Sequence, residues 1–491
     1  MSEKKSFYIT TTLPYVNAEP HIGFAMEIIR ADVIARWRKL IGQEVFFNTG
    51  TDEHGQKIWQ KVEESGKDIK DYIDDHALKF KELISLCGIS EDIHFIRTTD
   101  KKHVEAAQEF WKRCEAAGDI YKKVYKIKYC VGCELEKTDS ELSEGKCLIH
   151  PHLELEIREE ENYFFRFSKY QKPLLDFYAA NPAFVIPDFR FNEIKSFVER
   201  GLEDFSISRL KSKMPWGVAV PGDKDHVMYV WFDALVSYIS TLNWFTPSEV
   251  EGPNLFEKFW KEGTPTQYAG KDNLRQQSAM WQAMLMSADL PNSAQIIING
   301  FINSGGQKMS KSLGNVISPS EVVEKYGTEA LRYFVCRELS TFEDSDFNWE
   351  RMQESYNANL ANGLGNLVSR IMKMAETNLE KAPAIPEESI PQDFKDALSK
   401  FEIGKACEII WHKIGEMDKR IQQTAPFKLI KNDPEKAKAI IEELVIDLYT
   451  VGRMLNPIMP EANVTIKALV KANKSPEQPL FARKDSSTSS L

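Results

Sequence analysis

Residues 7–48, FYITTTLPYVNAEPHIGFAMEIIRADVIARWRKLIGQEVFFN, carry the pattern that predicts the fold. The run at 7–13 is rich in β-branched and aromatic residues, which is typical of a strand. Apolar residues recur at three- and four-residue spacing over 24–41, which predicts a helix with one apolar face. The stretch EVFFN at 44–48 predicts the next strand. Strand, loop, helix and strand in this order predict a βαβ unit with a right-handed crossover.

A second α/β pattern follows between residues 229 and 299, as YVWFDALVSYIS, QYAG and IIIN around a helix near 274–288. The region between the two patterns contains clustered cysteines, so it is predicted to be an insertion that splits one α/β domain. Helical periodicity dominates beyond residue 355, which predicts a helix bundle. The predicted ranges are 1–116 and 216–318 for the halves of the α/β domain, 117–215 for the insertion, 319–355 for a linking segment and 356–491 for the bundle.

The composition is that of an ordinary globular protein: of 491 residues, 42% are hydrophobic and 28% are charged. At roughly 150 residues per domain, this length predicts about three structural units. The apolar runs are too short to span a bilayer and the N-terminus has no apolar signal core, so a cytoplasmic protein without a membrane partner is expected. The net charge of −10 repels phosphate, so a nucleic-acid partner would need a local basic surface.

Four potential metal ligands form two close pairs, Cys130-x2-Cys133 and Cys147-x2-His150. The total of seven cysteines is odd, which argues against a disulfide framework. Thiolate and imidazole ligands in two pairs at this spacing are typical of a closed tetrahedral Zn²⁺ site with a structural role. His152 is an alternative fourth ligand, although the two-residue spacing favours His150. One structural zinc per chain is therefore predicted.

Two short motifs lie in the two halves of the predicted α/β domain. HIGF at 21–24 stands before the first helix, where unpaired N–H groups and the positive end of the helix dipole favour an anion. Gly23 permits close approach of a ligand, and the His21 imidazole can hydrogen-bond a phosphate. KMSKS at 308–312 has glycines on both sides, so a mobile loop can bring two ammonium groups onto a polyphosphate.

Together, the two motifs and their order resemble those of the class I aminoacyl-tRNA synthetases, which have a His-Ile-Gly-His-like turn and a Lys-Met-Ser-Lys-Ser loop. The resemblance covers nearly the whole chain. It is closest to the methionyl-tRNA synthetase family, of the bacterial type with a single zinc knuckle, in TLPYVNAEPHIG, FFNTGTDEHGQK, YVWFDALVSY, YAGKD, KMSKSLGNVISP and NLANGLGNLVSR. It implies an α/β fold in which a Rossmann-like parallel sheet is split by a zinc-knuckle insertion and followed by a C-terminal α-helix bundle. It also implies that the linking segment contacts the tRNA stem.

The resemblance implies a methionine site made of eight residues: Leu13, Tyr15, Asp52, Trp231, Ala234, Tyr238, Gln277 and Trp281. Aromatic faces suit a polarisable thioether, and the Asp52 carboxylate suits the ammonium group of the substrate. Without the two motifs, these aromatic residues would be interpreted as core packing.

The resemblance places ATP, with Mg²⁺ on its phosphates, against His21, Gly23, Glu27, Lys271, Asp272, Lys308, Ser310 and Lys311. It implies that His21, Lys308 and Lys311 are catalytic, with Lys311 the stronger of the two lysines. Either Glu27 or Asp272 can accept hydrogen bonds from the ribose.

Two positions depart from the family, because Phe24 and Gln277 stand where histidine is common. Phe24 cannot donate to phosphate, so His21 and the helix N-terminus would serve that side of the site. The departure affects the expected rate more than the reaction type. It raises the alternative of a non-catalytic tRNA-binding paralogue.

Asn362, Asn366 and Arg370 are spaced four residues apart and share one face of a predicted helix. Their side chains can hydrogen-bond to base edges and phosphate, and single-stranded loops are where RNA sequence is read. The resemblance implies that they bind the anticodon together with Phe427, which stands where tryptophan is common. Phenylalanine can still stack on a base, with less area.

The expected activity has two steps: methionine and ATP give methionyl-adenylate and pyrophosphate, and the 3′ end of tRNA(Met) then takes the aminoacyl group. The partners expected are ATP, L-methionine and tRNA(Met). Leucine, isoleucine and valine synthetases are alternatives, but those usually carry a large editing insertion, whereas the insertion here is short. A monomer is expected, since the sequence ends without the dimerising domain that some relatives carry.

Overall fold

The structure is a computed structural model that describes residues 6–17, 19–130, 135–137, 142–147, 152–245, 254–309, 315–386 and 390–484. Strands and helices alternate in the first part of the chain. The elements are β1 (Ser6–Thr11), α1 (Ile22–Leu40), β2 (Glu44–Thr51), α2 (Gln56–Ser65), α3 (Ile69–Leu86), β3 (His94–Arg97) and α4 (Lys101–Ala116). The βαβ unit predicted from residues 7–48 is therefore confirmed.

Strands outnumber helices in the next described part of the chain. The elements are β4 (Ile120–Cys130), β5 (Leu135–Lys137), β6 (Leu142–Ser143), β7 (Lys146–Cys147), β8 (Glu156–Phe165), α5 (Gln171–Ala180), β9 (Val185–Ile186), α6 (Asp188–Glu199), β10 (Phe205–Ser206), β11 (Ser208–Leu210), β12 (His226–Met228) and α7 (Val230–Ser240). β4 and β8 form a long antiparallel pair, with β5 and β10 at its edges.

The α/β pattern then returns before the chain becomes helical. The elements up to residue 355 are β13 (Thr264–Gly270), α8 (Trp281–Ser287), β14 (Gln295–Asn299), β15 (Ile302–Ser304), β16 (Gln307–Lys308), α9 (Pro319–Tyr326), α10 (Thr328–Tyr333), β17 (Ser345–Phe347) and α11 (Trp349–Ser355). Several helices contain wide π turns, at Glu257–Lys261, Gln276–Met280, Phe334–Glu338 and Tyr356–Gly365.

From residue 356 onward, every regular element in the described part of the chain is a helix. They are α12 (Asn366–Asn378), α13 (Gln392–Ser399), α14 (Ile403–Thr424), α15 (Pro426–Leu429), α16 (Pro434–Leu455) and α17 (Pro460–Ala472). Their apolar faces join one buried core with α1 and the helices of residues 319–355. The predicted helical C-terminal region is confirmed, and none of the described helices combines the length and apolarity needed to cross a membrane.

Six strands form one parallel sheet in the order β3-β2-β1-β13-β14-β9. The chain runs from β1 outward to β2 and β3, then returns to β13 and β14 on the other side of β1. The direction of winding therefore reverses between β1 and β13. Ligands of open parallel sheets bind beyond the carboxyl ends of the strands at such a reversal.

Strand β9 comes from the range 117–215, yet it joins the edge of the central sheet. Val185 and Ile186 pair with Ile296 and Ile297 of β14. The range predicted to be an insertion thus contributes one strand to the sheet that it interrupts. A strand of two residues shows no periodicity, so β9 could not be predicted from a periodic pattern.

Helix α1 is buried along most of its length and carries a charged residue into the core. The guanidinium of Arg30 donates to carbonyl oxygens within the Phe334–Glu338 turn and just beyond it, which are those of Val335, Leu339, Ser340 and Thr341. The fully buried Arg30 is therefore held mainly by backbone carbonyls. Because carbonyls at a helix end lack intrahelical donors, this arginine caps that end.

A second buried arginine joins α1 to the helical C-terminal region. Arg332 of α10 lies 2.8 Å from Asp32 of α1, and both side chains are fully buried. Arg332 also donates to the carbonyls of Ile458 and Pro457 at 2.8 and 3.0 Å. Burial alone would raise the pKa of Asp32, but Arg332, Arg36 and a hydrogen bond from Ser90 hold it below the ordinary value.

Candidate active site

A cavity of about 250 Å³ lies where the sheet reverses its winding, at the carboxyl ends of β1, β13 and β14. The N-terminus of α1 forms one wall. Four of the predicted ATP-binding residues line this cavity together: His21, Gly23, Glu27 and Asp272. The structure therefore brings together residues that are distant in sequence, at the place where α/β folds bind their ligands.

His21 caps the N-terminus of α1. Its backbone is extended, and its Nδ1 accepts a hydrogen bond from Gly23 N at 3.1 Å. A neutral ring in this arrangement carries its hydrogen on Nε2. A Cβ at position 23 would lie 2.7 Å from His21 Cε1, so glycine is required for this cap. The helix therefore begins at Ile22, two residues earlier than the apolar pattern predicted.

Phe24, which departs from the family motif, packs against the catalytic histidine candidate. The ring centroids of His21 and Phe24 are 4.4 Å apart, and Phe80 meets the Phe24 ring edge-on at 5.6 Å. Phe24 also lines the cavity. The Phe24 ring therefore supports the orientation of the His21 imidazole, but it has no hydrogen-bond donor for an anion.

Glu27 lies under the cavity and holds the end of β1. Its Oε1 accepts hydrogen bonds from Thr12 N at 2.9 Å and from Thr12 Oγ1 at 2.5 Å. Burial raises the pKa of Glu27 to about 7, and the Asp272 carboxylate adds to the rise. Asp272 is less enclosed, and Asn273 donates to its Oδ1 at 3.2 Å.

The KMSKS motif begins at the edge of this cavity. Its first residue, Lys308, belongs to β16, which pairs with β15 at Asn303. Met309 lines the cavity directly. The side chain of Lys308 is not among the described ones, and Ser310 and Lys311 lie outside the described residues. Their predicted roles therefore stay predictions.

Lys271 lies beside the cavity and does not line it. Its ammonium group is 2.6 Å from Asp344 and 4.6 Å from the centroid of the Phe301 ring. It lines a neighbouring open groove of about 670 Å³, together with Trp231 and Arg275. The groove and the cavity have Asp272 in common.

The predicted methionine residues lie in two groups. The first group is at the loop after β1, where Leu13 is half-buried. The backbones of Tyr15 and Asp52 form an isolated β-bridge, and Asp52 N donates to Pro14 O at 2.9 Å. Asp52 is buried, and burial together with the nearby Asp233 raises its pKa well above the ordinary value. Trp231, at the start of α7, is 37% exposed and lies at the surface of this region.

The second group is deeply buried and is organised around Tyr238. Gln277 Nε2 donates to the Tyr238 hydroxyl at 2.7 Å, and the Trp281 ring meets the Tyr238 ring edge-on at 6.0 Å. Gln277 lies within the wide turn Gln276–Met280, and such turns often occur at functional sites. Ala234 lies on the same helix as Tyr238, one turn earlier, and is half-buried.

Sequence reasoning missed a buried carboxylate between these groups. Asp233 of α7 lies 2.7 Å from His54 Nδ1 and 2.7 Å from His103 Nε2, and His103 Nδ1 lies 2.9 Å from Ser240 Oγ. The stretches that carry the family resemblance contain His54 and Asp233. His103 comes from α4, where nothing in the sequence marked it.

The predicted zinc ligands are only partly described. Cys130 ends β4 and Cys147 ends β7, and both thiols are buried. Cys133 and His150 lie outside the described residues, so no complete ligand set is visible in the described part of the chain. His152, the alternative ligand, is exposed.

The predicted anticodon residues lie on one continuous helical stretch and at a nearby helix start. Asn362 and Asn366 are exposed, at the junction of the Tyr356–Gly365 turn and α12. Arg370 pairs with Asp418 of α14. Phe427, just after the end of α14, is 49% exposed, which is unusual for a large aromatic residue.

Taken together, the reversed sheet, the capped helix and the KMSKS segment at the cavity define a class I aminoacyl-tRNA synthetase. The model of the family described as tRNA synthetases class I (M) matches residues 7–152 and 132–372. The methionine--tRNA ligase of Thermotoga maritima is 38% identical to this chain, over 96% of this chain and 76% of its own length. That of Thermosynechococcus vestitus is 41% identical, over 94% of this chain and 89% of its own length.

Solved structures agree with these sequence matches. Mycobacterium tuberculosis methionyl-tRNA synthetase in complex with methionyl-adenylate superimposes with a TM-score of 0.85 and 35% identity, covering 98% of this chain and 100% of that chain. The form described as apo from the same organism gives a TM-score of 0.79 and 32% identity. The chain belongs to the methionyl-tRNA synthetase family of class I.

Proposed function

We propose that this chain activates methionine with ATP to methionyl-adenylate and transfers the methionyl group to the 3′ end of tRNA(Met), releasing AMP and pyrophosphate. The observation that carries this function is the convergence of His21, Gly23, Glu27 and Asp272 on one cavity at the winding reversal of the sheet. The high coverage of methionine--tRNA ligases supports methionine as the substrate.

The first step is an in-line displacement at the α-phosphorus of ATP. A carboxylate oxygen of methionine forms the new P–O bond, and the bond to the bridging oxygen breaks as pyrophosphate leaves. No protein nucleophile takes part, so catalysis is by positioning and by stabilisation of charge. The α1 N-terminus and His21 Nε2 donate toward the phosphates. Lys308 and Lys311 meet the charge on the leaving group, and Mg²⁺, when bound with ATP, would neutralise part of the phosphate charge.

The ribose of ATP is bound by Asp272. Glu27 already accepts from Thr12 N and Thr12 Oγ1, and from the backbone of Gly270. Asp272 accepts one weak hydrogen bond from a neighbouring side chain and lies closer to the opening. It also belongs to the open groove beside Trp231, through which the tRNA 3′ end reaches the adenylate.

The methionine side chain lies against Tyr238, Trp281 and Ala234, and its ammonium group lies against Asp52. The bond from Gln277 occupies an acceptor position of the Tyr238 hydroxyl, so that hydroxyl is left to donate toward the thioether. Leu13, Tyr15 and Trp231 close the site on the exposed side. Glutamine thus replaces the usual histidine without losing a donor to Tyr238.

The test is ATP–pyrophosphate exchange by the purified chain, run separately with each of the twenty amino acids. Methionine is expected to support exchange far better than leucine, isoleucine or valine. Exchange that prefers one of those three would contradict the substrate, and no exchange with any amino acid would favour a non-catalytic tRNA-binding paralogue.

The helical region from 356 onward reads the anticodon of tRNA(Met) through Asn362, Asn366, Arg370 and Phe427. The exposed Phe427 ring is available to stack on a base. Phe427→Ala should therefore weaken tRNA charging by about 1–3 kcal/mol in kcat/KM while methionine-dependent exchange stays normal. Phe189→Ala is the matched control, since Phe189 is 46% exposed but lies in α6. Equal effects of the two variants on charging would argue against an anticodon role.

One structural zinc is held by Cys130, Cys133, Cys147 and His150. Two buried thiols at the ends of β4 and β7 fit this ligand set, and the exposure of His152 favours His150. The variant with Cys130→Ser and Cys147→Ser should lose one zinc per chain in elemental analysis, while exchange activity persists because the site closes only its own small loop. Cys114→Ala, at a buried cysteine in α4, should retain the metal. A chelator-free wild type without stoichiometric zinc would overturn this assignment.

The functional ranges follow from these roles. Residues 1–116 and 216–318 form the catalytic domain, 117–215 the inserted zinc-knuckle region, 319–355 the segment that contacts the tRNA stem, and 356–491 the anticodon-binding bundle. The strand β9 fixes the inserted region to the catalytic sheet at one point.

A further inference from the structure

His54 connects two buried carboxylates on different elements. Its backbone N–H points to Asp52 Oδ1 at 3.5 Å, and its ring Nδ1 lies 2.7 Å from Asp233 Oδ2. The other oxygen of Asp233 is held by His103, so this carboxylate is clamped between two imidazoles. Asp52 and Asp233 are 3% and 0% exposed, which means that water screens neither charge effectively.

We propose that Asp233 is a positioning residue for amino-acid binding: it is held near Asp52 by His54, its charge acts on Asp52, and it never contacts the substrate itself. This inference rests on the proposed function, because it takes Asp52 to be the partner of the substrate ammonium group. It extends that function by assigning to the His54–Asp233–His103 chain control over the charge with which Asp52 meets the amino acid.

The ionisable groups around Asp52 come from three elements. They are Asp233 and Tyr238 of α7, Glu53 and His54 after β2, and Tyr15 after β1. Glu53 forms an ion pair with Arg97, whose Nε lies 2.6 Å away. Burial would raise the pKa of Asp233, but His54 and His103 hold it at about 2, so Asp233 is ionised at neutral pH. Its charge therefore opposes ionisation of Asp52 in the empty site.

A substrate ammonium group reverses this balance. In the empty site, Asp52 keeps a proton to a higher pH than an ordinary carboxyl group does. When methionine binds, the O–H bond of Asp52 breaks, the proton passes to solvent, and the carboxylate pairs with the ammonium group. Binding thus releases a proton below the raised pKa of Asp52 and weakens as pH falls. Above that pKa, both carboxylates attract the ammonium group without a proton being released.

Asp233→Asn removes the charge and keeps the shape. An asparagine Oδ1 can still accept from His54, and its Nδ2 can donate to His103 Nε2. His103 then needs its hydrogen on Nδ1, where the Ser240 hydroxyl can accept it as readily as it donates. Every polar group of the His54–Asp233–His103 chain keeps a hydrogen-bond partner in this variant, so the variant is expected to fold.

The expected results separate charge from packing. In exchange assays from pH 5 to 8, Asp233→Asn should raise the KM for methionine about tenfold at pH 8, because one attractive charge is lost in a poorly screened site. The pH below which KM rises steeply should move down by about one unit, because a like charge no longer opposes ionisation of Asp52. The value of kcat should change less than about threefold, since Asp233 contacts no reacting atom.

One control variant tests whether the effect is specific to Asp233. Asp223→Asn removes a carboxylate from another histidine, since Asp223 Oδ2 lies 3.1 Å from His226 Nδ1 outside the amino-acid site. This variant should leave the methionine KM and its pH dependence unchanged.

Calorimetry of methionine binding to the wild type provides a second measurement. Titrations in two buffers of different ionisation enthalpy count the protons released, and release should be found at low pH and disappear as pH rises. The inference is overturned if no proton is released at any pH from 5 to 8, or if Asp233→Asn leaves the pH curve in place. It is also overturned if kcat and KM worsen together with an unshifted curve. Absence of methionine-dependent exchange in the wild type would instead refute the proposed function.

Discussion

Replacing Arg332 by methionine is expected to lower the free energy of unfolding by about 3–5 kcal/mol. Methionine has a similar length, but it removes the fully buried cation that pairs with Asp32 and deprives the carbonyls of Ile458 and Pro457 of donors. Arg36 and Ser90 still contact Asp32, but removing one partner of a buried ion pair costs far more than the pair itself contributes. Urea unfolding followed by tryptophan fluorescence measures the change, with the slope compared between variants to detect partial unfolding.

The control for Arg332 is an arginine of the helical C-terminal region whose ion pair faces water. Arg420 of α14 pairs with Glu443 of α16, and the two side chains are 36% and 57% exposed. Arg420→Met should change the free energy of unfolding by less than about 1 kcal/mol. Similar decreases in the free energy of unfolding for both variants would mean that the buried Arg332–Asp32 pair stabilises the protein no more than an exposed pair does.

Replacing Lys311 by alanine is expected to slow methionyl-adenylate formation by roughly 10²–10³-fold, the usual cost of losing one preorganised donor. Negative charge moves toward the leaving pyrophosphate as the α-phosphorus is attacked, so this lysine binds the transition state more tightly than ATP. The methionine KM should change little. Single-turnover formation of the adenylate measures the rate directly, without contributions from product release.

A lysine on a neighbouring helix provides the control for Lys311. Lys325 of α9 pairs with Glu321 at the surface, so Lys325→Ala should leave the single-turnover rate within a factor of about two. A near-normal rate for Lys311→Ala, or a loss confined to the methionine KM, would contradict the role given to the motif. Because Phe24 contributes no donor, His21 and the lysines share the phosphate charge.

The sequence predicted the parts of this fold that rest on local periodicity. β1, α1 and β2 appear where the β-branched and aromatic runs and the helical spacing predicted them. The start of α1 was missed by two residues, because the His21 side chain and not the apolar stripe determines where the helix begins. The strand β9 was missed because two residues cannot show a period.

The candidate site also contains residues that the sequence predicted and residues that it did not. His21, Gly23, Glu27 and Asp272 could be named from motifs, and they do line one cavity. The Asp233 cluster could not, because its partners lie 130 and 179 residues away and no spacing rule connects them. The hydrogen bond between Gln277 and Tyr238 likewise depends on a wide helical turn that an ideal helical spacing does not represent.

Helix α1 has a consequence for how this enzyme can be engineered. Its first residues face the nucleotide cavity. In its middle, Arg30 donates to backbone carbonyls of residues 335–341, and Asp32 forms an ion pair with Arg332. Arg332 in turn holds the turn between α16 and α17. A chimera that takes its anticodon-binding bundle from a relative must therefore exchange Arg332 and the 334–341 turn along with the bundle. Otherwise, Arg30 and Asp32 would be buried at the junction without these partners. The natural unit of transplantation begins inside the linking segment, well before the first residue that reads RNA.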